Sequence, residues 1–287
     1  DGSNPVRFER SWDSPLADAD LLVVDEVSLV GHELASDLRS YGRKILVLGD
    51  PGQLPPIDGG GAFTNRDPDV VLTEIHRQAR GSPILRLAYQ ARGRMDIGWS
   101  DDPCAIVRPL TFATLLDAAD GAQVLCGTHR ARWAVTARLR EKYGFSGLLP
   151  SPGERVICRR NDHAIGIYNG MLGTVVELLD DGSNDPEDRP YLKIKMDDLD
   201  TPVETLVCRE PWLEHEVRRR LNPAYYQRGV QLFDFGFVLT VHAAQGSEWE
   251  SVVIVDDSSA FREDRWKWLY TAITRASERV TLLRRET

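Results

Sequence analysis

The chain of 287 residues is short of cysteine: it has four, Cys104, Cys126, Cys158 and Cys208, and no C-x-x-C pair among them. That spacing argues against a zinc site and predicts the reduced thiols of a cytoplasmic protein. No apolar run approaches the roughly 18 to 20 residues that cross a bilayer, so neither a transmembrane helix nor a membrane partner is expected. The opening residues, DGSNPVRFERSWDSP, are polar where a secretory signal would be apolar. Lysine is scarce too: Lys44, Lys142, Lys193, Lys195 and Lys267 are all there are. Net charge is −9 and the pI about 5.2, which excludes a protein that coats nucleic acid with a general positive charge. Any such binding must come from local patches. There is no internal repeat, and 42% hydrophobic with 28% charged residues is ordinary for a folded chain of about two domains.

What is present is α/β texture, interrupted once. LLVVDEVSLV, residues 21–30, and KILVLGD, ending at Asp50, are continuous apolar runs that predict parallel strands buried on both faces. Between them Leu34, Leu38 and Tyr41 fall at helical spacing before a stop at Gly42, giving a strand-helix-strand unit. SPILRLAYQARGR, 82–94, predicts a helix with Ser82 as N-cap and Pro83 at its first position. QVLCGTH, 123–129, predicts another buried strand, followed by a helix closed by Gly144. From Pro152 to about Cys208 the pattern shifts to short alternating strands, ERVICR, MLGTVVELL, YLKIKM and VETLVCR, separated by turn clusters. These predict a small antiparallel barrel. The α/β texture returns at FGFVLTVH, at VVIV and in a last helix before RVTLL.

Two strand ends carry chemistry. LLVVDE places Asp25 and Glu26 at the carboxyl end of a strand, where side chains enter the ligand crevice of an α/β sheet. An aspartate there can hold Mg²⁺ and an adjacent glutamate can activate water; the same acids could also simply cap a helix. GDPGQLPPI, 49–57, is more specific. Its glycines and prolines fix an irregular loop, and Gln53 offers an amide that donates and accepts, suited to a terminal phosphate and its attacking water.

Four further strings follow: LTEIHRQ with Arg77, NDHAIGIYNGMLGTV, FVLTVHAAQGSEWE and YTAITRA with Arg275. In this order, and over about Leu21 to Leu283, they resemble superfamily 1 DNA helicases of the RecD/Dda type, the 5′→3′ branch. The resemblance implies ATP between two RecA-like P-loop NTPase domains, with single-stranded or forked DNA across their tops. It implies that Asp25 holds Mg²⁺, Glu26 is the general base and Gln53 senses the γ-phosphate. Arg77 and Arg275 are implied to stabilise the transition state, a role worth about 10³ to 10⁵ in rate. Gly246 and Glu248 are implied to face the nucleotide, and Thr240, His242, Gln245 and Ser247 to couple it to DNA. Thr128 and Arg130 fall at a further DNA-contact position. The inserted barrel resembles the branch's SH3-like domain, where Asn161, Asp162, Asn169 and Gly170 read as turn chemistry first.

The expected domains are 1–98, a partial first RecA-like domain; 99–151 with 233–287, the second; and 152–232, the inserted barrel and connector. The departure from the family is the phosphate cradle, G-x-x-x-x-G-K-[ST]. None of the lysines follows a glycine: their predecessors are Arg43, Glu141, Leu192, Ile194 and Trp266. The expectation is a C-terminal part of a helicase whose P-loop part lies elsewhere, in cis or in trans. Ala243 stands where many relatives carry lysine, which puts tight phosphate contact there in doubt. The rival expectation is a non-catalytic module that binds DNA or protein and keeps helicase motifs as relics.

Overall fold

The structure is a computed structural model and describes residues 13–56, 61–64, 67–72, 81–179, 189–208, 212 and 230–285. It is an α/β protein with mixed sheets. By contacts the chain divides into two compact units, one running from Leu116 to Ala243, the other formed by the residues before and after it.

In the second of these, β1 (Leu21–Val24) and β2 (Lys44–Val47) form a parallel pair joined by α1 (His32–Ser40). The helix stops where predicted, with Gly42 at φ 66°. Among the described residues the pair is covered on one face only. Val27, Val30 and Ala35 are buried there, with Val24, Leu38 and Val47 packed against them. On the other face Leu21, Val23, Leu46 and Leu48 are exposed. The expectation of burial on both faces therefore fails: the period-2 alternation of side chains puts half of each apolar run on a side that no described element covers.

The same unit holds α2 (Pro83–Arg92), whose N-cap is Ser82. Its larger sheet contains β3 (Ser100–Asp102), β4 (Ala105–Pro109), β13 (Trp249–Val255) and β14 (Ala276–Arg284). The strand order is β13-β14-β4-β3, parallel except for the hairpin of β3 with β4. β13 and β14 are linked through α5 (Arg265–Ile273), on which Trp268, Leu269, Ala272 and Ile273 are buried. In the chain, β4 is followed by α3 (Phe112–Ala118). The β3-β4 hairpin and α3 had no clear signal, being short.

In the unit 116–243, β5 (Gln123–Cys126) is buried at every position and pairs in parallel with β12 (Val238–Thr240). Thr128 caps α4 (His129–Lys142), accepting from Ala131 N at 3.2 Å. The predicted alternating strands form as β6 (Arg155–Cys158), β7 (Leu172–Leu179), β8 (Tyr191–Met196) and β9 (Val203–Val207). Each is antiparallel to the next. β10 (Val230–Gln231) then pairs with β9, and β11 (Phe233–Phe235) with β6. One run, residues 230–235, thus pairs with both outer strands of the set. The sheet takes in Phe233–Phe235, which the sequence reading assigns to the second α/β domain, because the apolar run FDFGFV carries no sign of where one sheet hands over to the other.

Val156, Cys158, Ile167, Val175, Leu192, Ile194, Met196, Val207, Trp212, Phe233 and Phe235 make one buried cluster inside this sheet. α4 is tied to it by Arg140. Its guanidinium forks onto the fully buried Glu154 carboxylate at 2.6 and 3.1 Å and lies 4.3 Å from the Phe235 ring centroid. A bidentate pair of this kind satisfies a charge that could not otherwise be buried.

Candidate functional site

β1 and β2 finish side by side, with Val24 opposite Val47. The ladder runs one step further: Leu48 N donates to Val24 O at 2.8 Å, and Val27 N to Leu48 O at 3.1 Å. Asp25 and Glu26 therefore leave β1 beside the point where Gly49 and Asp50 leave β2. Glu26 adopts φ 49°, ψ 44°, a left-handed conformation that costs a non-glycine residue about 1–2 kcal/mol. Asp25 Oδ1 accepts from Glu26 N at 2.8 Å. The turn that follows presses on the neighbouring loop, since a Cβ on Gly49 would lie 2.5 Å from Val27 Cγ1 and 3.0 Å from Val27 N. Only glycine lets the two strand ends approach this closely.

The loop from Gly49 to Leu54 is wound on Asp50. Gly52 N donates to Asp50 Oδ1 at 2.8 Å and Gln53 N to Asp50 O at 3.1 Å. The hydroxyl of Tyr270, on α5, donates to Asp50 Oδ2 at 2.6 Å. Arg92, the last residue of α2, lies 3.4 Å from Asp50 Oδ1, with its guanidinium 5.4 Å from the Tyr270 ring centroid. Burial, then the Asp50 carboxylate, pushes the Tyr270 phenol up to about 12. Beyond Gln53, the buried Leu54 is held at both its amide and its carbonyl. Leu54 N donates to Thr271 Oγ1 at 2.9 Å, and Leu54 O accepts from Gln245 Nε2 at 3.1 Å. Gln53 thus sits between two fixed neighbours. Its Oε1 is buried with no hydrogen-bond partner among the described residues, as is Oε1 of Gln245.

Arg275 follows α5 and is 5% exposed. Its Nε donates to Thr271 O and its Nη1 to Ser247 O, both at 3.1 Å, and its Nη2 to Thr274 Oγ1 at 3.3 Å. These bonds fix the plane of a guanidinium that has five N–H donors in all. Ser247 N in turn donates to Ala244 O, and Gly246 turns the chain at φ 80°. Gln53, Gln245, Gly246, Ser247, Glu248 and Arg275 therefore come from one network or lie next to it in the chain. Arg77 lies outside the described residues.

Thr128, Arg130, Thr240 and His242 belong to the other unit. β12 is in register with β5, Thr240 opposite Cys126, so Thr128 and Thr240 stand at the carboxyl ends of adjacent parallel strands. Thr240 is buried and its Oγ1 accepts from Ala243 N at 3.3 Å. Arg130 is exposed, and burial lowers the pKa of His242. In the hairpin of the antiparallel sheet Asn161 Oδ1 accepts from Asn169 N, and Asp162 Oδ1 from Ala164 N, both at 2.8 Å. These side chains make turns, as their residue types predict.

Sequence reasoning missed Tyr270, Thr271, Asp50 and Arg92 as a connected set. The first two lie inside the YTAITRA string and the third inside GDPGQLPP, so the signal was present as motif but not as contact. Arg92 had no signal beyond a basic residue closing a helix.

Residues 235–283 match the UvrD-like helicase C-terminal domain, and residues 4–101 match an AAA domain. The chain is 29% identical over 305 residues to the ATP-dependent RecD2 DNA helicase of Deinococcus radiodurans, covering 97% of this chain and 38% of that protein. It is 23% identical to the RecBCD enzyme subunit RecD of Mycobacterium tuberculosis, covering 98% of this chain and 52% of that one. The chain thus spans between about a third and a half of these relatives' length. Its fold is that of a Pif1 helicase from Bacteroides solved with ADP-AlF3 and single-stranded DNA. That likeness has a TM-score of 0.61 at 18% identity, over 99% of this chain and 76% of that one. A structure of two coordinating Pif1 helicases at forked double-stranded DNA gives a TM-score of 0.62 at 20% identity, covering 99% of this chain and 75% of that one.

Proposed function

We propose that this chain, whose homologues are the RecD2 and RecD helicases, is the C-terminal part, without the P-loop, of an ATP-dependent 5′→3′ DNA helicase. The observation that carries the reading is the meeting at Leu54. Residues 191 and 217 positions away along the chain, Gln245 and Thr271, hold the carbonyl and the amide of Leu54, the residue after Gln53. Three strings that are only neighbours by resemblance in the sequence are joined by hydrogen bonds in the fold. A module keeping these strings as relics would have no reason to keep that junction.

The residues fit one end of a magnesium nucleotide. Asp25 would hold the metal, and Glu26 and Gln53 would address the attacking water. The partnerless buried Oε1 of Gln53 supports this, because a buried acceptor left unpaired is disfavoured unless something donates to it. Gly246, Glu248 and Arg275 would lie toward the terminal phosphate; Arg77 belongs with them by resemblance. MgATP, when bound, supplies the phosphoanhydride. The residues of this chain orient water, hold a proton at the Glu26 carboxylate and place the Arg275 charge. They do not fit the rest of the phosphate chain, since no glycine-lysine cradle is among them. We assign that cradle to a P-loop part in cis or in trans, which the bare apolar face of β1 and β2 gives a place to pack.

Single-stranded or forked DNA would cross the strand ends carrying Thr128, Arg130, Thr240 and His242, with Gln245 and Ser247 linking it to the nucleotide. Thr128 would act there through its backbone and helix end, its hydroxyl being used as a cap. The domains would be residues 1–98, residues 99–151 with 233–287, and the insertion 152–232, whose sheet also takes in Phe233–Phe235. The pairing of one run with both outer strands of the antiparallel sheet supports reading that insertion as an SH3-like barrel.

The test is steady-state hydrolysis. The 287-residue chain alone should show no appreciable turnover, and a polypeptide that also carries the G-x-x-x-x-G-K-[ST] segment should be stimulated by single-stranded DNA. In the latter, Arg275→Ala should abolish turnover with nucleotide affinity changed only a few-fold, since its charge acts on the transition state. DNA-stimulated hydrolysis by the chain alone overturns the assignment of the cradle to another segment. No stimulation in either favours the binding-module reading, which the missing lysine supports for this chain by itself.

A further inference from the structure

The loop that carries Gln53 is held by more than the strings that resemble helicase motifs. Asp50 gathers four donors: the amides of Gly52 and Gln53, the Tyr270 hydroxyl at 2.6 Å, and the Arg92 guanidinium at 3.4 Å. Gly52 is enclosed by the same three side chains. A Cβ there would meet Asp50 Oδ1 at 3.1 Å and both Arg92 Nε and Tyr270 Cε1 at 3.4 Å. Two residues on, Leu54 N is bound by Thr271 Oγ1, while the carbonyl of the same Thr271 accepts from Arg275 Nε. One helix therefore holds the loop on both sides of Gln53, with Tyr270 on one side and Thr271 on the other. The residue that touches the loop at Leu54 also touches Arg275.

From this geometry we infer that Tyr270, Thr271 and Arg92 are positioning residues, which set Gln53 and Arg275 in register through Asp50 and Leu54. The inference rests on the helicase reading above and deepens it. None of the three needs to meet nucleotide or DNA. Their work is to make any shift of the α5 helix carry the Gln53 loop with it, so that the amide and the guanidinium move as one body. The connection is short: Tyr270 and Thr271 are adjacent in sequence and anchor points four residues apart, Asp50 and Leu54.

Two measurements test it. The first is amide exchange on the 287-residue chain, which needs no activity. Tyr270→Phe keeps the ring and removes only the hydroxyl, and should speed exchange at Gly52 and Gln53. Thr271→Val should do so at Leu54, leaving the β7 and β8 amides as in the parent. Exchange at residues 52–54 that is the same in all three proteins overturns the latch itself. The second is hydrolysis and unwinding by the polypeptide that carries the P-loop segment. Tyr270→Phe should lower kcat about tenfold, the order expected for one hydrogen bond to a charged group, with KM for ATP unchanged. It should also raise the ATP used per base pair opened. Asp50→Asn, which keeps an acceptor for the phenol, should recover most of what Asp50→Ala loses. A raised KM at unchanged kcat, or a coupling ratio equal to the parent's, overturns the positioning role. A parent protein without ATPase, alongside a Tyr270→Phe loop that exchanges faster, overturns the functional reading and the catalytic role of the latch but leaves the latch in place.

Discussion

Two regions of this molecule end in opposite states, and the more apolar strands are the more exposed. In the antiparallel sheet of residues 155–235, Phe233, Leu192, Ile194 and Met196 are wholly buried, and the outer strands share a single run of chain. In the β1-β2 pair, Leu21 is 48% exposed, Val23 57% and Leu46 46%. The difference lies not in composition but in how many neighbours the chain supplies. Strands that pair locally through short turns bring their own cover. A central parallel strand depends on elements far away in sequence, or in another segment, to bury its second face. The contrast is sharpest within β1 and β2 themselves, bare on one face and so tight at their ends that Gly49 has no room for a methyl group.

The largest effect that could break this comparison is a core truncation. Phe233→Ala should destabilise the antiparallel sheet by about 3–5 kcal/mol in chemical denaturation, as large core deletions do. Val23→Ala, on the bare face, should change stability by less than about 0.5 kcal/mol. Similar losses at the two sites would mean that β1 is covered in solution by something the fold does not show. Next comes Gly49→Ala, predicted to lower stability by about 1–3 kcal/mol because the added methyl overlaps Val27. A neutral result would show that the strand ends are looser than their contacts indicate. A charged residue on the bare face, Leu46→Lys, should leave the melting temperature unchanged and reduce self-association in sedimentation velocity, since an open apolar strand face and edge invite pairing.

Smaller effects sharpen the picture at the candidate DNA-facing strand ends. Thr128→Ala should cost about 1 kcal/mol through loss of the α4 cap. Thr128→Ser, which keeps the oxygen, should restore most of it, and equal losses in both would argue for a role outside the cap. His242 gives the smallest. Burial lowers its pKa below the ordinary 6.5, so the unfolded chain takes up the proton first as pH falls. Its contribution is complete above pH 6.5 and is lost as pH falls through the lowered value, the sign required when the unfolded state binds more protons. His242→Gln should flatten the stability profile in that window, measured by denaturant midpoints at several pH values. A profile that keeps its slope would assign the dependence to other groups.

The sequence by itself determined the local elements and the identity of the motifs. Gly42 and Gly144 stop the helices that periodicity predicts, and Ser82-Pro83 opens another. The alternating strands from ERVICR to VETLVCR appear as written, because period-2 burial and turn residues are short-range signals. The strings around Asp25, Gln53, Gln245 and Arg275 were legible because they are specific as words. Tertiary structure alone decided what those words touch. Nothing in YTAITRA says that its tyrosine reaches Asp50, that its threonine holds Leu54, or that its arginine lies buried against Ser247 O. Nor does LLVVDE say which half of its apolar run will lack a cover. Hydrogen bonds between residues about two hundred positions apart depend on how strands order themselves in a sheet, and that order is set by the packing of whole faces rather than by any residue's own preference.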